Sequence, residues 1–138
     1  MLMMPRKVKH RKIHRGKDAS EGISYKGGKV SYGSFGLKAM SSGLISARQI
    51  EAARRAMTRY IQRGGKVWIR IFPDKPMTKS GDETPMGKGK GSVDHFVSRV
   101  RAGKVMFEMD GVERNIAKRA MELASHKLSV KTRFVEKD

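Results

Sequence analysis

Residues 46–63 read SARQIEAARRAMTRYIQR, and this stretch decides the fold class because it predicts one long amphipathic helix. Ser46 is a good N-cap, and Gln49 follows it three residues later, which is the capping-box pattern. Gly64 and Gly65 predict the end of the helix. At about 100° per residue, one face of the helix collects the apolar side chains. They belong to Ile50, Ala53, Met57, Tyr60 and Ile61.

The opposite face of the same helix collects arginines. They are Arg48, Arg55, Arg59 and Arg63, and only Glu51 lies near them. A solvated helix face usually mixes the two signs of charge, and guanidinium groups offer planar, forked donors that match phosphate. We therefore predict that this face contacts RNA. A helix face that is merely solvated is the alternative.

Shorter patterns around this helix complete an α+β domain. Strands are predicted over residues 29–40, 66–72, 95–100, 104–109 and 129–135, and a second helix over residues 111–127. The apolar stripe of that second helix is Ile116, Ala117, Ala120, Leu123 and Ala124. Arg101-Ala102-Gly103 predicts a hairpin turn between two of the strands, and Gly33 and Gly36 predict a bulge or a close backbone approach. The expected fold is a small, mostly antiparallel sheet with two helices, in a domain spanning residues 29–138.

The strand predicted over residues 66–72 has two different faces. Val67, Ile69 and Ile71 lie on one, and the other carries Lys66, Trp68, Arg70 and Phe72. Basic and aromatic residues that alternate on one face can stack on RNA bases. Large aromatic side chains are more often buried beneath a helix, so the pattern favours a core position for Trp68 and Phe72.

The charge of the chain indicates a polyanionic partner. The 138 residues include 31 Lys or Arg and 13 Asp or Glu, for a net charge of +18. A polyanion relieves the self-repulsion of such a chain, and nucleic acid is the commonest one. No apolar run approaches the roughly 20 residues that cross a bilayer, and membrane-surface binding would need the charge on one amphipathic helix. The absence of cysteine excludes disulfides and thiolate metal sites.

Residues 5–29, which include most of a predicted arm at residues 1–28, are rich in Lys, Arg, His and Gly and hold few large apolar side chains. Such a segment cannot build a core, so we predict an extended basic arm that becomes ordered on its partner. His10 and His14 are four residues apart, but no carboxylate or thiol completes a metal site, so they are expected to face RNA or solvent, and we include them in the predicted rRNA-binding set. A disordered solubilising tail is the alternative.

Residues 73–92 are rich in Pro and Gly and predict a long functional loop. Its end, Gly87-Lys88-Gly89-Lys90-Gly91, lets the backbone approach a phosphate closely. The spacing does not make a nucleotide-binding P-loop, because five residues instead of four separate Gly81 from Gly87. No nucleophile, base and orienting group come together, so the sequence predicts neither an enzyme nor a cofactor. An enzyme that uses this loop on nucleotides is kept as an alternative of another class.

Four motifs in order carry a resemblance to a known family. They are FGLKA at residues 35–39, SARQIEAARRAMTR at 46–59, GGKVWIRIFPDKPMT at 64–78 and MGKGKG at 86–91. They resemble bacterial large-subunit ribosomal protein sixteen, whose archaeal and eukaryotic counterpart is protein ten-e, from about Pro5 to Val135. The resemblance implies a hammerhead-like α+β fold, binding to large-subunit rRNA beside the aminoacyl-tRNA site, and a part in late assembly and tRNA accommodation. A general RNA chaperone outside the ribosome is the runner-up.

The resemblance also implies which residues bind. The arm would thread into rRNA through Arg6, Lys7, Lys9, Arg11, Lys12 and Arg15. Lys38, Lys66 and Arg70 lie within the matching motifs and are expected to join the rRNA-binding set. The loop residues Met86, Gly87, Lys88, Gly89, Lys90 and Gly91 would face tRNA. Pro85 departs from the Arg that the family often has before this loop.

The expected partners are large-subunit rRNA, tRNA in the aminoacyl site and neighbouring large-subunit proteins, with no membrane and no homo-oligomer. The expected location is the ribosome of the bacterial cytoplasm, and an organellar ribosome stays open as an alternative.

Overall fold

The computed structural model describes residues 3–4, 27–62, 64–78 and 93–138, and within them seven strands and two helices form an α+β domain. The elements in chain order are β1 Phe35–Ala39, β2 Gly43–Ser46, α1 Ala47–Ile61, β3 Lys66–Ile69, β4 Lys75–Thr78, β5 Val93–Val100, β6 Val105–Asp110, α2 Arg114–Ser125 and β7 Thr132–Glu136. The α+β class predicted from the sequence is confirmed. The predicted arm lies mostly outside the described residues.

The strands form two antiparallel sheets instead of one. The first sheet has the order β3-β6-β1-β7, and the second has the order β2-β5-β4. The predicted hairpin is therefore wrong, since β5 and β6 follow each other in the chain but belong to different sheets. The turn between them bonds to the end of β1, where Gly103 donates its N–H to the carbonyl of Ala39 at 2.7 Å and Ala39 donates to Lys104 at 2.8 Å. The β1–β2 and β5–β6 connections thus pass between the sheets side by side.

One hydrophobic core lies between the helices and the four-stranded sheet. Its fully buried members include Leu37, Ile45, Ile50, Met57, Phe107, Met109 and Met121. Small side chains let the two helices pack closely, and Ala53, Ala117, Ala120 and Ala124 are fully buried. Helix α1 packs chiefly against α2, and α2 also contacts β1 and β7.

Helix α1 begins as the sequence predicts and ends earlier. Ser46 Oγ accepts the N–H of Gln49 at 3.1 Å, and the Gln49 side chain accepts the N–H of Ser46 at 2.9 Å, so the capping box is complete. The helix ends at Ile61 because Gln62 takes the left-handed φ of 56°, before either predicted glycine is reached. Tyr60, expected in the core, is 43% exposed.

Three other elements differ from the expected ones. Strand β1 begins at Phe35, and residues 27–34 precede it without forming a strand. Helix α2 buries Met121 in place of Ile116, which is 38% exposed at the helix's first turn. The predicted loop at 73–92 is interrupted by β4, which pairs with β5, and residues 79–92 lie outside the described residues.

Candidate RNA-binding surface

The four-stranded sheet has a second face, turned away from the helices. Side chains alternate along a strand, and Val67 and Ile69 of β3 pack on the core, so Lys66 and Trp68 point to the other side. The register of β3 and β6 places Asp110 opposite Lys66, and Glu108 opposite Trp68. We call this side the outer face. Residues 27–34, named here the crossing segment, lie against it.

Glu108 holds the crossing segment in place. Its carboxylate is fully buried, and Oε1 accepts the three consecutive N–H groups of residues 31–33 at 2.9, 2.7 and 2.9 Å. Oε2 lies 2.8 Å from Arg70 Nη1, in an ion pair without the alignment of a hydrogen bond. Arg70 Nη1 also donates to the carbonyl of Lys29 at 2.7 Å. One acidic residue therefore fixes the segment that immediately follows the predicted basic arm.

A ladder of cations and rings runs along the outer face. Lys66 Nζ lies 5.1 Å from the ring centroid of Trp68, and Tyr32 stacks on Trp68 with centroids 6.3 Å apart. Arg70 Cζ lies 5.4 Å from the centroid of Tyr32. Tyr32 is 62% exposed, so the ladder reaches the solvent.

The core position expected for Trp68 and Phe72 is wrong. Trp68 is only partly buried and lies outside the core cluster, and Phe72 is 45% exposed. The physical reason is that both helices cover the other face of the sheet. The crossing segment, not a helix, covers the side of Trp68.

The arginines of α1 form a second basic area. Arg48, Arg55 and Arg59 are all exposed, as the sequence predicts. Arg55 donates to Glu51 at 3.1 Å, whereas Arg48 and Arg59 show no acidic partner among the described residues. Arg63 lies outside the described residues.

Glu51 is the only acid on this side of α1, and Arg54 governs its ionisation. The hydrogen bonds from Arg54, at 2.6 and 3.0 Å, lower the pKa of the Glu51 carboxyl to about 2, against the opposing effect of burial. The bond from Arg55 acts in the same direction. The carboxylate thus stays charged and neutralises part of the arginine cluster without reaching Arg48 or Arg59.

A cleft of about 470 Å³ extends this basic area between the ends of the two helices. Arg59 and Tyr60 line it from α1, and His126 and Lys127 from the residues after α2. Within the described part of the chain, no helix could span a membrane and no three His, Asp or Glu side chains cluster as metal ligands do.

Comparisons with known proteins identify the family of the chain. The family described as Ribosomal protein L16p/L10e matches residues 5–135. This chain belongs to that family. Proteins from two strains of Dehalococcoides mccartyi, BAV1 and CBDB1, each named large ribosomal subunit protein uL16, are 54% identical to it over 137 residues. The matches cover 99% of this chain and 91% of each relative.

Membership of the L16p/L10e family makes the chain a structural constituent of the large ribosomal subunit, acting in translation. The expectation of a non-enzymatic protein is confirmed, because the family is structural. The expected location is confirmed as well, since this protein is part of the ribosome in the bacterial cytoplasm.

The structure places only part of the residues that the sequence and the resemblance selected. Lys38 is half-buried on β1 opposite Arg133 of β7, Lys66 is exposed, and Arg70 is engaged with Glu108 inside the protein. The arm residues and the loop at 86–91 lie outside the described residues.

Sequence reasoning missed Tyr32 and Glu108 as parts of the outer face. The available signal was Glu108, which has apolar neighbours on both sides in VMFEMD at residues 105–110, since a charge flanked by core residues needs a buried partner.

Proposed function

We propose that this chain binds large-subunit rRNA through the exposed arginines of α1 and through the basic arm of residues 1–28. One observation carries the proposal for α1: Arg48 and Arg59 stand on its exposed side and have no acidic partner among the described residues. A guanidinium that is not already paired keeps its forked donors available for phosphate oxygens. The net charge of +18 supplies the long-range attraction.

The finer part of the proposal concerns where the protein acts. Family resemblance supports a position beside the aminoacyl-tRNA site, with Lys88 and Lys90 directed toward tRNA. In that position the globular domain of residues 29–138 anchors on rRNA, and the loop supports tRNA accommodation after late assembly. The partners are then large-subunit rRNA, aminoacyl-site tRNA and neighbouring ribosomal proteins, with one copy of the chain in each subunit.

Charge reversal on α1 tests the rRNA contact. We expect Arg48→Glu with Arg59→Glu to weaken binding to a large-subunit rRNA fragment. The slope of log affinity against log salt should fall by about 2, since each phosphate contact contributes about 0.9. Lys118→Glu with Lys131→Glu makes the same change of charge away from this side of α1, and we expect it to keep the slope. Circular dichroism should show both variants folded.

An unchanged slope in the α1 variant would overturn the proposal. Sedimentation of cell extracts provides the second measurement, because the wild-type chain should travel with large subunits and the α1 variant should be depleted there. Equal binding of the wild-type chain to rRNA and to an unrelated structured RNA would favour the general RNA chaperone instead.

A further inference from the structure

We propose that the outer face holds a slot for one unpaired RNA base that stacks on Trp68 and donates an amino hydrogen bond to Asp110. The inference deepens the proposed function and rests on it, since it assumes that the chain binds RNA. The slot is a cleft of about 350 Å³ lined by Gly64, Gly65, Lys66, Trp68, Asp110 and Gly111. The cleft is shallow and open to solvent.

Three glycines, Gly64, Gly65 and Gly111, contribute backbone to the lining of the slot. A Cβ on Gly65 would lie 2.9 Å from Val112 Cγ1 and 3.1 Å from the carbonyl oxygen of Asp110. A Cβ on Gly111 would lie 3.4 Å from the Cα of Gly65. At Gly65 the protein itself already fills the space of a side chain, whereas a Cβ on Gly64 would have no atom nearer than 3.8 Å, so the backbone is open to a planar group at Gly64.

Trp68 supplies the stacking surface, and Tyr32 packs against one side of its ring. Side chains on one face of an extended chain are spaced about 6.7 Å apart, so Lys66 and Trp68 of β3 are followed on the same side by Arg70, just after the strand ends. Tyr32 stacks on Trp68 and also contacts Arg70, so it fills the space between them and does not line the slot. The slot therefore lies on the Lys66 side of the indole.

On that side only the flexible Lys66 side chain covers the ring, with Nζ 5.1 Å from its centroid. An exposed cation–π contact changes an equilibrium by about two- to fivefold, whereas stacking of a base contributes about 5- to 150-fold. A base can therefore displace the ammonium group from the ring. The displaced Lys66 is then free to meet the phosphate of the same nucleotide.

Asp110 gives the slot its preference among bases. Its Oδ1 accepts the Ser34 hydroxyl at 2.9 Å and the Gly111 N–H at 2.8 Å, which orients the carboxylate. Oδ2 has no hydrogen bond within the described residues, and no ion pair there joins Asp110 to the facing Lys66. A carboxylate oxygen accepts from the amino group of cytosine. Uracil presents a carbonyl oxygen in place of that amino group, so it cannot make this contact and keeps only its N3–H as a donor.

The chain has one tryptophan, so its fluorescence reports the slot directly. We would titrate the full-length protein with the single strands C9 and U9 and follow Trp68 emission, while anisotropy of labelled strands reports total binding. We expect C9 to quench the emission. The quenching titration should give C9 an affinity at least about fivefold higher than that of U9. A parallel titration with CMP tests whether a free nucleotide is enough to fill the slot. We expect CMP to bind far more weakly than the C9 strand.

Two variants test the assigned contacts. In Asp110→Asn the amide can donate to uracil as well as accept from cytosine, so the C9-to-U9 ratio should fall below about twofold. Lys66→Met should weaken the binding of both strands and leave the C9-to-U9 affinity ratio unchanged. Glu136→Gln removes a carboxylate elsewhere on the sheet and should leave quenching and ratio unchanged.

Binding by anisotropy without quenching, or with equal affinity for both strands, would overturn the slot and leave the proposed function standing. Loss of all RNA binding in the wild-type chain would instead refute the proposed function. If Asp110→Asn does not fold, the wild-type ratio and the Lys66→Met result still decide.

Discussion

The buried carboxylate of Glu108 faces the guanidinium of Arg70 at 2.8 Å, and this pair joins the sheet to the crossing segment. Glu108 is fully buried, and the Arg70 side chain is only 15% exposed. A buried pair has to offset the loss of hydration of both charges, and here the three N–H groups of residues 31–33 and the Lys29 carbonyl complete the bonding. The pair thus fixes residues 29–33, which follow the predicted basic arm, against the sheet.

Glu108→Gln should destabilise the protein strongly. The change keeps the volume but leaves Arg70 without its counter-charge, and breaking a buried pair from one side costs about 3 to 5 kcal/mol. Urea unfolding measures this loss. The matched control is Glu136→Gln, because Glu136 pairs with Arg114 at an exposed position, where an ion pair contributes about 1 kcal/mol or less. Equal losses in the two variants would contradict the role given to Glu108.

The stability that Glu51 contributes should depend on pH. The folded pKa of about 2 lies below the ordinary value of 4.5, so the folded state binds the proton more weakly than the unfolded state does. The contribution is therefore complete above about pH 5 and is lost as the pH falls toward 2. Glu51→Gln should lower the free energy of unfolding by about 1 kcal/mol at pH 7, since both arginine partners are largely solvent-accessible. Urea titrations at several pH values should show this gap closing in acid, and a gap that stays constant would be the contrary result.

Gly33→Ala should disturb the ladder on the outer face. A Cβ there would lie 2.5 Å from the carbonyl oxygen of Met109 and 3.0 Å from Trp68 Cζ3, so the backbone has to move. We expect a loss of about 1 to 3 kcal/mol, as for other overpacked sites, and a shift of the Trp68 emission. Gly64→Ala is the control for the loss of stability alone, because its nearest neighbour would be the Ile61 carbonyl oxygen at 3.8 Å, while Gly64 also lines the slot beside Trp68. Unchanged emission in the Gly33 variant would show that Trp68 and the crossing segment are independent.

Lys88→Ala with Lys90→Ala should spare assembly and impair tRNA binding. Losing two charge contacts of about 0.7 kcal/mol each would correspond to about a tenfold loss of affinity for aminoacyl-site tRNA. Reconstituted ribosomes carrying the variant provide the measurement, with Lys79→Ala from the same predicted loop as control. Wild-type tRNA affinity in ribosomes with the double substitution would refute the tRNA role of these lysines.

The sequence by itself determined the elements whose information is local. Helix α1 could be predicted from Ser46, Gln49 and the apolar spacing, because a cap and a period of 3.6 residues act within a few turns. The same period predicted that Arg48, Arg55 and Arg59 lie on the exposed side of α1. The close approach at Gly33 could also be anticipated, because a residue without a side chain marks crowded backbone.

Only the tertiary structure decided how the strands are shared between two sheets and which side of Trp68 is covered. Strand periodicity says which side chains share a face, but it does not say which strand is the neighbour or whether a helix lies above. The bond from Ser31 to Glu108 joins residues 77 positions apart, and Tyr32 reaches Trp68 through the same long-range fold. Such contacts form only when the whole chain has packed, because the burial that makes the Glu108 carboxylate seek partners is itself a product of that packing.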